Sequence, residues 1–274
     1  MAGDIANHVH DPSAVALEHA HHVAFHSGLG GQRLAISSKF PHSLIPSYAQ
    51  QVYQKGNIAV VASGAPHADL LKWTGEFFAD VKDGSGVSSS RPTEYFGGEN
   101  RTYSAAGDAL AIAFPGSPGG PGFKAESCVL AHLLGGEGAT KWNAGTSVLS
   151  QAVGQITGVK AVARHTAYSD AGLLTICITG PQPSLTQAGQ EVVKAINSLS
   201  SPKPEEVKRA IAQAKFDVLA AAEDRSAGLE LVGQSVIASA KVPQVEDVVK
   251  ALGAVTAASL KKVYISFPAS IDRC

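Results

Sequence analysis

Six of the chain's ten histidines crowd near its start: His8, His10, His19, His21, His22 and His26. Imidazole is the commonest metal ligand and a general base near neutrality, so the spacing decides what this cluster can do. His22 and His26 are four apart and His19 and His22 three apart, so each pair shares one face if the segment is helical. A catalytic zinc needs a third protein ligand and a base to take a proton from its water. The helical zinc signatures are His-Glu-x-x-His and its inverse, His-x-x-Glu-His, and neither occurs in the chain. The nearest string, Val15-Ala16-Leu17-Glu18-His19, has valine where the first ligand would stand. The histidines are therefore expected to be helix-surface and packing residues, with adventitious divalent-ion binding as their remaining metal chemistry.

Other chemistries lack their residues too. The Pro-Gly-rich residues 115–122 run into Gly122-Phe123-Lys124-Ala125, which breaks the Gly-Lys-Ser/Thr pattern of a phosphate cradle. They are expected to form a flexible loop. Gly135-Gly136-Glu137-Gly138 follows a helical pattern and so lacks the strand–turn–helix setting of a dinucleotide site. No Gly-x-Ser-x-Gly elbow occurs, and Cys128, Cys177 and Cys274 stand in no motif that activates a thiol. His165, Ser169 and Asp170 are triad residue types, but Ser169-Asp170 falls in a predicted tight turn. Lys208-Arg209 reads as a solvated helix face. Haem and iron–sulfur cysteine spacings are missing. The sequence thus assigns no catalytic, cofactor-binding or metal residue and no cofactor.

The elements that carry these residues follow from caps and periodicity. Asp11 caps a helix and Pro12 occupies its first turn, with Val15, Leu17, Ala20, Val23 and Ala24 at helical spacing before Gly28 and Gly30. A second helix is expected over 46–55, and the apolar run 58–62 reads as a buried strand. Pro66 begins another helix with Leu70, Leu71, Phe77 and Phe78 as core candidates. A Gly/Ser-rich stretch over 80–92 reads as a solvated linker. A strand over 108–114, a helix over 125–134 and a helix over 148–153, capped by Thr146 or Ser147, follow. Gly135, Gly136 and Gly138 give the loop between those helices its backbone freedom, and Trp142 is an aromatic wedge at its elbow.

Strands over 159–166 and 173–179 join through a hairpin-type turn at 168–172. Helices over 184–199 and 204–222 come next, the second with an apolar stripe of Val207, Ile211, Ala214 and Val218. Ser226 caps a helix carrying Leu229, Val232, Val236 and Ile237; Pro243 starts another and Thr256 a last one. Strands first and helices bunched at the end predict an α+β layer fold rather than alternating βαβ units.

At 45% hydrophobic and 16% charged residues the chain can bury a sizeable core. A net charge of -1 gives no basic field for nucleic acid or an acidic membrane surface. No run approaches the eighteen apolar residues of a membrane span. Widely spaced cysteines, odd in number, fit free thiols in a reducing compartment. The opening residues carry no arginine and do not read as a transit peptide.

Four stretches resemble one family in order and at its spacing. These are Ala20-His-His-Val-Ala-Phe25-His-Ser-Gly28-Leu-Gly30, Tyr95-Phe-Gly-Gly-Glu-Asn-Arg101, Tyr168-Ser-Asp-Ala-Gly-Leu173 and Glu223-Asp-Arg-Ser-Ala-Gly-Leu229. With Leu133-Leu-Gly-Gly136 and Lys141-Trp142, they are similar to the pitrilysin/mitochondrial-processing-peptidase family. The resemblance implies layers of antiparallel-rich sheet and helices. It places the later part of a first peptidase-like domain at 1–80, a linker at 81–93 and a second domain at 94–274. The part that carries metal ligands in active relatives is then absent, and the last residues, Val263 to Cys274, depart from the family's ending. A fragment or altered termini are expected, with uncovered apolar edges and poor solubility in isolation.

The Lys141-Trp142 form is most similar to the family's non-catalytic core subunits of mitochondrial ubiquinol–cytochrome c reductase, respiratory complex III. That likeness implies a structural role in complex assembly, peripheral on the matrix side of the inner membrane. Its partners would be core protein 1 and the other complex III subunits, with no nucleic acid and no membrane span. The alternatives are a presequence-binding subunit of the processing peptidase and an unrelated metal-dependent hydrolase.

Overall fold

A computed structural model describes residues 2–33, 44–84, 92–135, 145–199, 202–239 and 244–265. Among them run eleven α-helices: α1 (Ala2–Val9), α2 (Pro12–Phe25), α3 (Leu44–Val52), α4 (His67–Phe77), α5 (Ala125–Leu134), α6 (Val148–Val153), α7 (Gln182–Ser198), α8 (Pro204–Glu223), α9 (Arg225–Ser239), α10 (Val245–Gly253) and α11 (Ala257–Ile265). Three strands, β1 (Ala109–Gly116), β2 (Lys160–Ala167) and β3 (Gly172–Thr179), form one antiparallel sheet in the order β1-β3-β2. The fold is α+β, as expected. The chain divides into two compact units, one from residues 1–34, 93–218 and 246–274, the other from 35–92 and 219–245.

The first unit is built on β3, which pairs with both neighbours, Thr179 lying opposite Ala109 on one side and Lys160 on the other. Its alternation puts Leu174, Ile176 and Ile178 on one face and Leu173, Thr175 and Cys177 on the other. The first face meets Phe114, Ala161 and the buried residues of α5, α6 and α7, including Val129, Leu130, Leu133, Leu149 and Val192. Leu173 packs instead with Ala24 and Phe25 of α2. Burial on both faces explains why β3 reads as a nearly unbroken apolar run. The expected stripe on α8 is found, with Val207 and Ala214 buried and Ile211 and Val218 packed against that core.

Local chemistry sets the boundaries. Asp11 Oδ1 accepts from Ser13 N at 2.9 Å and caps α2. Ser147 Oγ accepts from Ser150 N at 3.2 Å to start α6. At α11, Thr256 Oγ1 accepts from Ser259 N while Ser259 Oγ accepts from Thr256 N, both at 3.1 Å, a reciprocal cap. α5 ends at Gly135, whose φ is +64° and where a Cβ would come within 2.5 Å of Ser147 Cβ. Only glycine meets both conditions. The cap of α9 differs from expectation: Asp224 Oδ1 accepts from Ala227 N at 2.8 Å, so the carboxylate takes the role assigned to Ser226.

The second unit holds α3, α4 and α9, and among its described residues none is buried. Residues 58–62 are not a strand there; no described segment pairs with them, and Val60 is exposed. α4 forms where Pro66 predicts it, but its core candidates are uncovered: Leu71 and Phe77 are exposed, Leu70 and Phe78 half-buried. Residues 136–144, with Gly136, Gly138, Lys141 and Trp142, lie outside the described residues. So do most of the linker at 81–93, Pro243, and the chain's end from 266.

Candidate functional site

The histidine helix α2 lies against β1 and β3, held down by the extended segment 93–101. Phe25 is its anchor, 2% exposed, with Tyr95 and Tyr168 edge-on at 6.4 and 6.5 Å. Phe96 N donates to Ala24 O at 2.8 Å, Tyr95 Oη donates to Ala113 O at 3.1 Å, and Thr93 N donates to Asp170 Oδ2 at 2.9 Å. The last bond leads the causes that hold the Asp170 carboxyl below its ordinary range.

Each histidine along α2 has its own neighbour. The Leu17 carbonyl, 2.7 Å from His21 Nδ1, can only accept, so that nitrogen carries the proton and Nε2 accepts from Tyr168 Oη at 2.8 Å. By the same logic His22 Nδ1 donates to Gly30 O at 3.1 Å. His19 Nδ1 accepts from the Asn100 carboxamide at 3.2 Å. His8 Nε2 meets Glu18 Oε2 at 2.5 Å, and Glu18 Oε1 also accepts from Arg33 N. His26 has left the helix: its φ is +57° and ψ −52°, with Ser27 N donating to Phe25 O at 2.6 Å, a strained tight turn. Its ring stacks on Phe96 at 4.5 Å. Helical spacing therefore does not gather His19, His22 and His26, and among the described residues no three histidines, cysteines or carboxylates are placed to share a metal.

A shallow pocket of about 280 Å³ is lined by His22, Val23, His26, Gly97, Gly98, Glu99 and Asn100. Glu99 is ion-paired with Arg101, so its carboxylate does not stand free as a base.

His165, Ser169 and Asp170 do not converge. His165 sits on the helix-covered face of the sheet, where Nδ1 lies 4.0 Å from Cys128 Sγ and Nε2 is buried without a regular hydrogen bond. Burial depresses the pKa of His165, opposed weakly by the Ser117 backbone, and burial raises that of Cys128. Both shifts favour neutral thiol and neutral ring, the reverse of an activated thiolate–imidazolium pair. Sequence reading missed this contact. The parity of β2, which turns Ala161, Ala163 and His165 to the same side, was the signal for it. Residues 115–122 extend β1 to Gly116 and then form a 3-10 turn, Gly120–Gly122. Arg209 is more than solvated: its guanidinium donates to Thr146 O at 2.7 Å, tying α8 to the start of α6.

Comparison with known proteins places this arrangement. A model of the Peptidase M16 inactive domain matches residues 44–214. The chain is similar to cytochrome b-c1 complex subunit 2 of Neurospora crassa, 40% identical over 92% of this chain and 57% of the relative. It is less similar to mitochondrial-processing peptidase subunit alpha-2 of Dictyostelium discoideum, 22% identical over 93% of this chain and 59% of that protein. A chain of Complex III2 from Candida albicans, Inz-5 bound, has the same fold, with a TM-score of 0.81 at 18% identity over 96% of this chain and 66% of that one. The chain thus spans little more than half the length of the curated relatives it matches. Matched across most of its length by the inactive-domain model, it belongs to the M16 peptidase family.

Proposed function

We propose that the chain is a non-catalytic structural subunit of the cytochrome b-c1 complex, the ubiquinol–cytochrome c reductase of the respiratory chain. In this reading it works through surfaces rather than through a reaction centre. It pairs with core protein 1, supports the electron-transfer subunits, and sits peripherally on the matrix side of the mitochondrial inner membrane. The observation that carries the reading is the 40% identity to a subunit 2 across nearly the whole chain. The site chemistry is consistent with it: the imidazoles of His8, His19, His21 and His22 are occupied in holding segments to α2. Among the described residues no helix is long and apolar enough to cross a membrane.

Affinity purification of the tagged chain from mitochondria tests this. Recovery of core protein 1 and cytochrome b-c1 subunits, and loss of the assembled complex on deletion of the gene, are expected. Normal complex assembly without the chain sinks the proposal. The second reading, a presequence-binding processing-peptidase subunit, is supported by the match to the Dictyostelium protein at roughly half the identity. Stimulated presequence cleavage by a catalytic partner would favour it instead.

The layout proposed with this function keeps 1–80 as the later part of a first domain, 81–93 as linker and 94–274 as a second domain. Its support is the Gly/Ser-rich composition of the middle segment, and it must accommodate α2, which packs beside β3. Preferential proteolysis within 81–93, with α2 keeping the nicked pieces together, is the expected result; cleavage confined elsewhere argues against this layout.

A further inference from the structure

Cys128 and His165 form a pair of metal-ligating side chains for which a structural subunit has no evident use. Cys128 stands on α5 and packs against the core of the first unit. His165 stands on β2, with its Nδ1 4.0 Å from Cys128 Sγ. Both residues are half-buried, so an ion can reach them. The other ring nitrogen, Nε2, is buried beside Gly116, where a Cβ would come within 2.8 Å of it. That close packing holds the ring with Nδ1 towards the sulfur.

Bonds of about 2.3 Å to sulfur and about 2.0 Å to nitrogen set two donors about 4.3 Å apart across a linear ion. Across a tetrahedral ion the same bonds set them about 3.5 Å apart. The observed 4.0 Å lies between these, an open angle that fits an ion of low coordination number. Zinc is a poor match: its sites are tetrahedral, and among the described residues no third histidine, cysteine or carboxylate joins the pair. His132, four residues beyond Cys128, has its Nε2 3.6 Å from Asp217 Oδ2 instead. Charge points the same way. A thiolate with a neutral imidazole is neutralised by a monovalent ion, whereas a divalent ion leaves a positive charge to be desolvated.

We propose that Cys128 Sγ and His165 Nδ1 bind one monovalent thiophilic cation, copper(I), between them. Thiolate and imidazole both suit copper, and thiolate selects its monovalent state. On binding, the thiol S–H bond breaks and its proton leaves to solvent, one per ion. The sulfur–copper and nitrogen–copper bonds form with no change in oxidation state. Burial depresses the pKa of His165 and raises that of Cys128. The ring is therefore already in its ligating neutral form, and affinity rises with pH because the ion must displace the thiol proton.

The test is titration of the chain carrying Cys177→Ser and Cys274→Ser with copper(I), kept reduced by ascorbate, against a colorimetric copper(I) chelator. One ion per chain is expected, with one sulfur and one nitrogen neighbour in its X-ray absorption spectrum. In the unsubstituted chain, where folding is not in question, copper(I) should shift the nitrogen NMR resonance of His165 Nδ1. Cys128→Ser should abolish binding. His165→Phe should weaken it by more than the roughly 10–100-fold that loss of a ligand's supporting partner causes. Zinc should not reach stoichiometric occupancy. Copper left with the chelator, binding indifferent to His165→Phe, an unmoved Nδ1 resonance, or zinc held as tightly each overturns the proposal.

Discussion

The sheet-bearing unit and the unit of α3, α4 and α9 are written in similar residues and reach opposite outcomes. The first seats Phe114, Leu130, Leu149 and Ile176 at 1% exposure or less. The second leaves Leu44, Tyr48, Leu71 and Phe77 more than half exposed. The difference is not one of hydrophobicity but of layers: β3 is covered on both faces, whereas among the described residues nothing buries the stripes of α3 and α4. Apolar periodicity tells which side of a helix wants cover, and only the presence of a second layer tells whether it gets it.

That contrast can be broken by substitution. Leu130→Ala should destabilise the first unit by about 2–5 kcal/mol, read by denaturant titration, because its neighbours cannot collapse into the void. Leu71→Ala should change stability by less than about 0.5 kcal/mol in the chain alone. Equal costs at both positions would remove the distinction between the units. Gly135→Ala should cost about 1–3 kcal/mol, since a Cβ there meets both an unfavourable φ and the Ser147 side chain. Asp11→Ala removes a single cap and should cost about 1 kcal/mol, seen as a small drop in melting temperature.

The smallest effect is pH-linked. Burial holds the pKa of His165 below the ordinary imidazole value, so the unfolded chain binds the proton more readily than the folded one. The stability that His165 leaves intact above about pH 6.5 is lost as the pH falls through the window below it, down to the depressed folded value. His165→Phe should flatten that acid limb in a series of melts, and an unchanged limb would assign the sensitivity to other groups.

Much of the first unit was legible because its signals are local. The helix over 125–134 was read to the residue, the α6 cap to either Thr146 or Ser147, of which Ser147 serves, and β1, β2 and β3 to within about two residues. The strand expected at 58–62 failed because strands need a partner that sequence pattern cannot supply. Asp224 displaced Ser226 as a cap because either side chain can accept, and only backbone geometry decides between them. The histidines carry no zinc signature in the sequence because no third ligand is spaced with them. Their actual partners, the Leu17 and Gly30 carbonyls, Asn100, Tyr168 and Glu18, could not be read, since a hydrogen bond across the fold leaves no periodic trace. The Lys141-Trp142 pair, which carried much of the resemblance, lies outside the described residues.

The bond between His21 and Tyr168 joins positions 147 apart along the chain. A ribosome adding about 5–20 residues per second makes the helix roughly 7–30 s before its tyrosine partner emerges. Throughout that interval Phe25 has no sheet to enter, so the nascent segment holds its anchoring side chain in reach of water until β3 has been made.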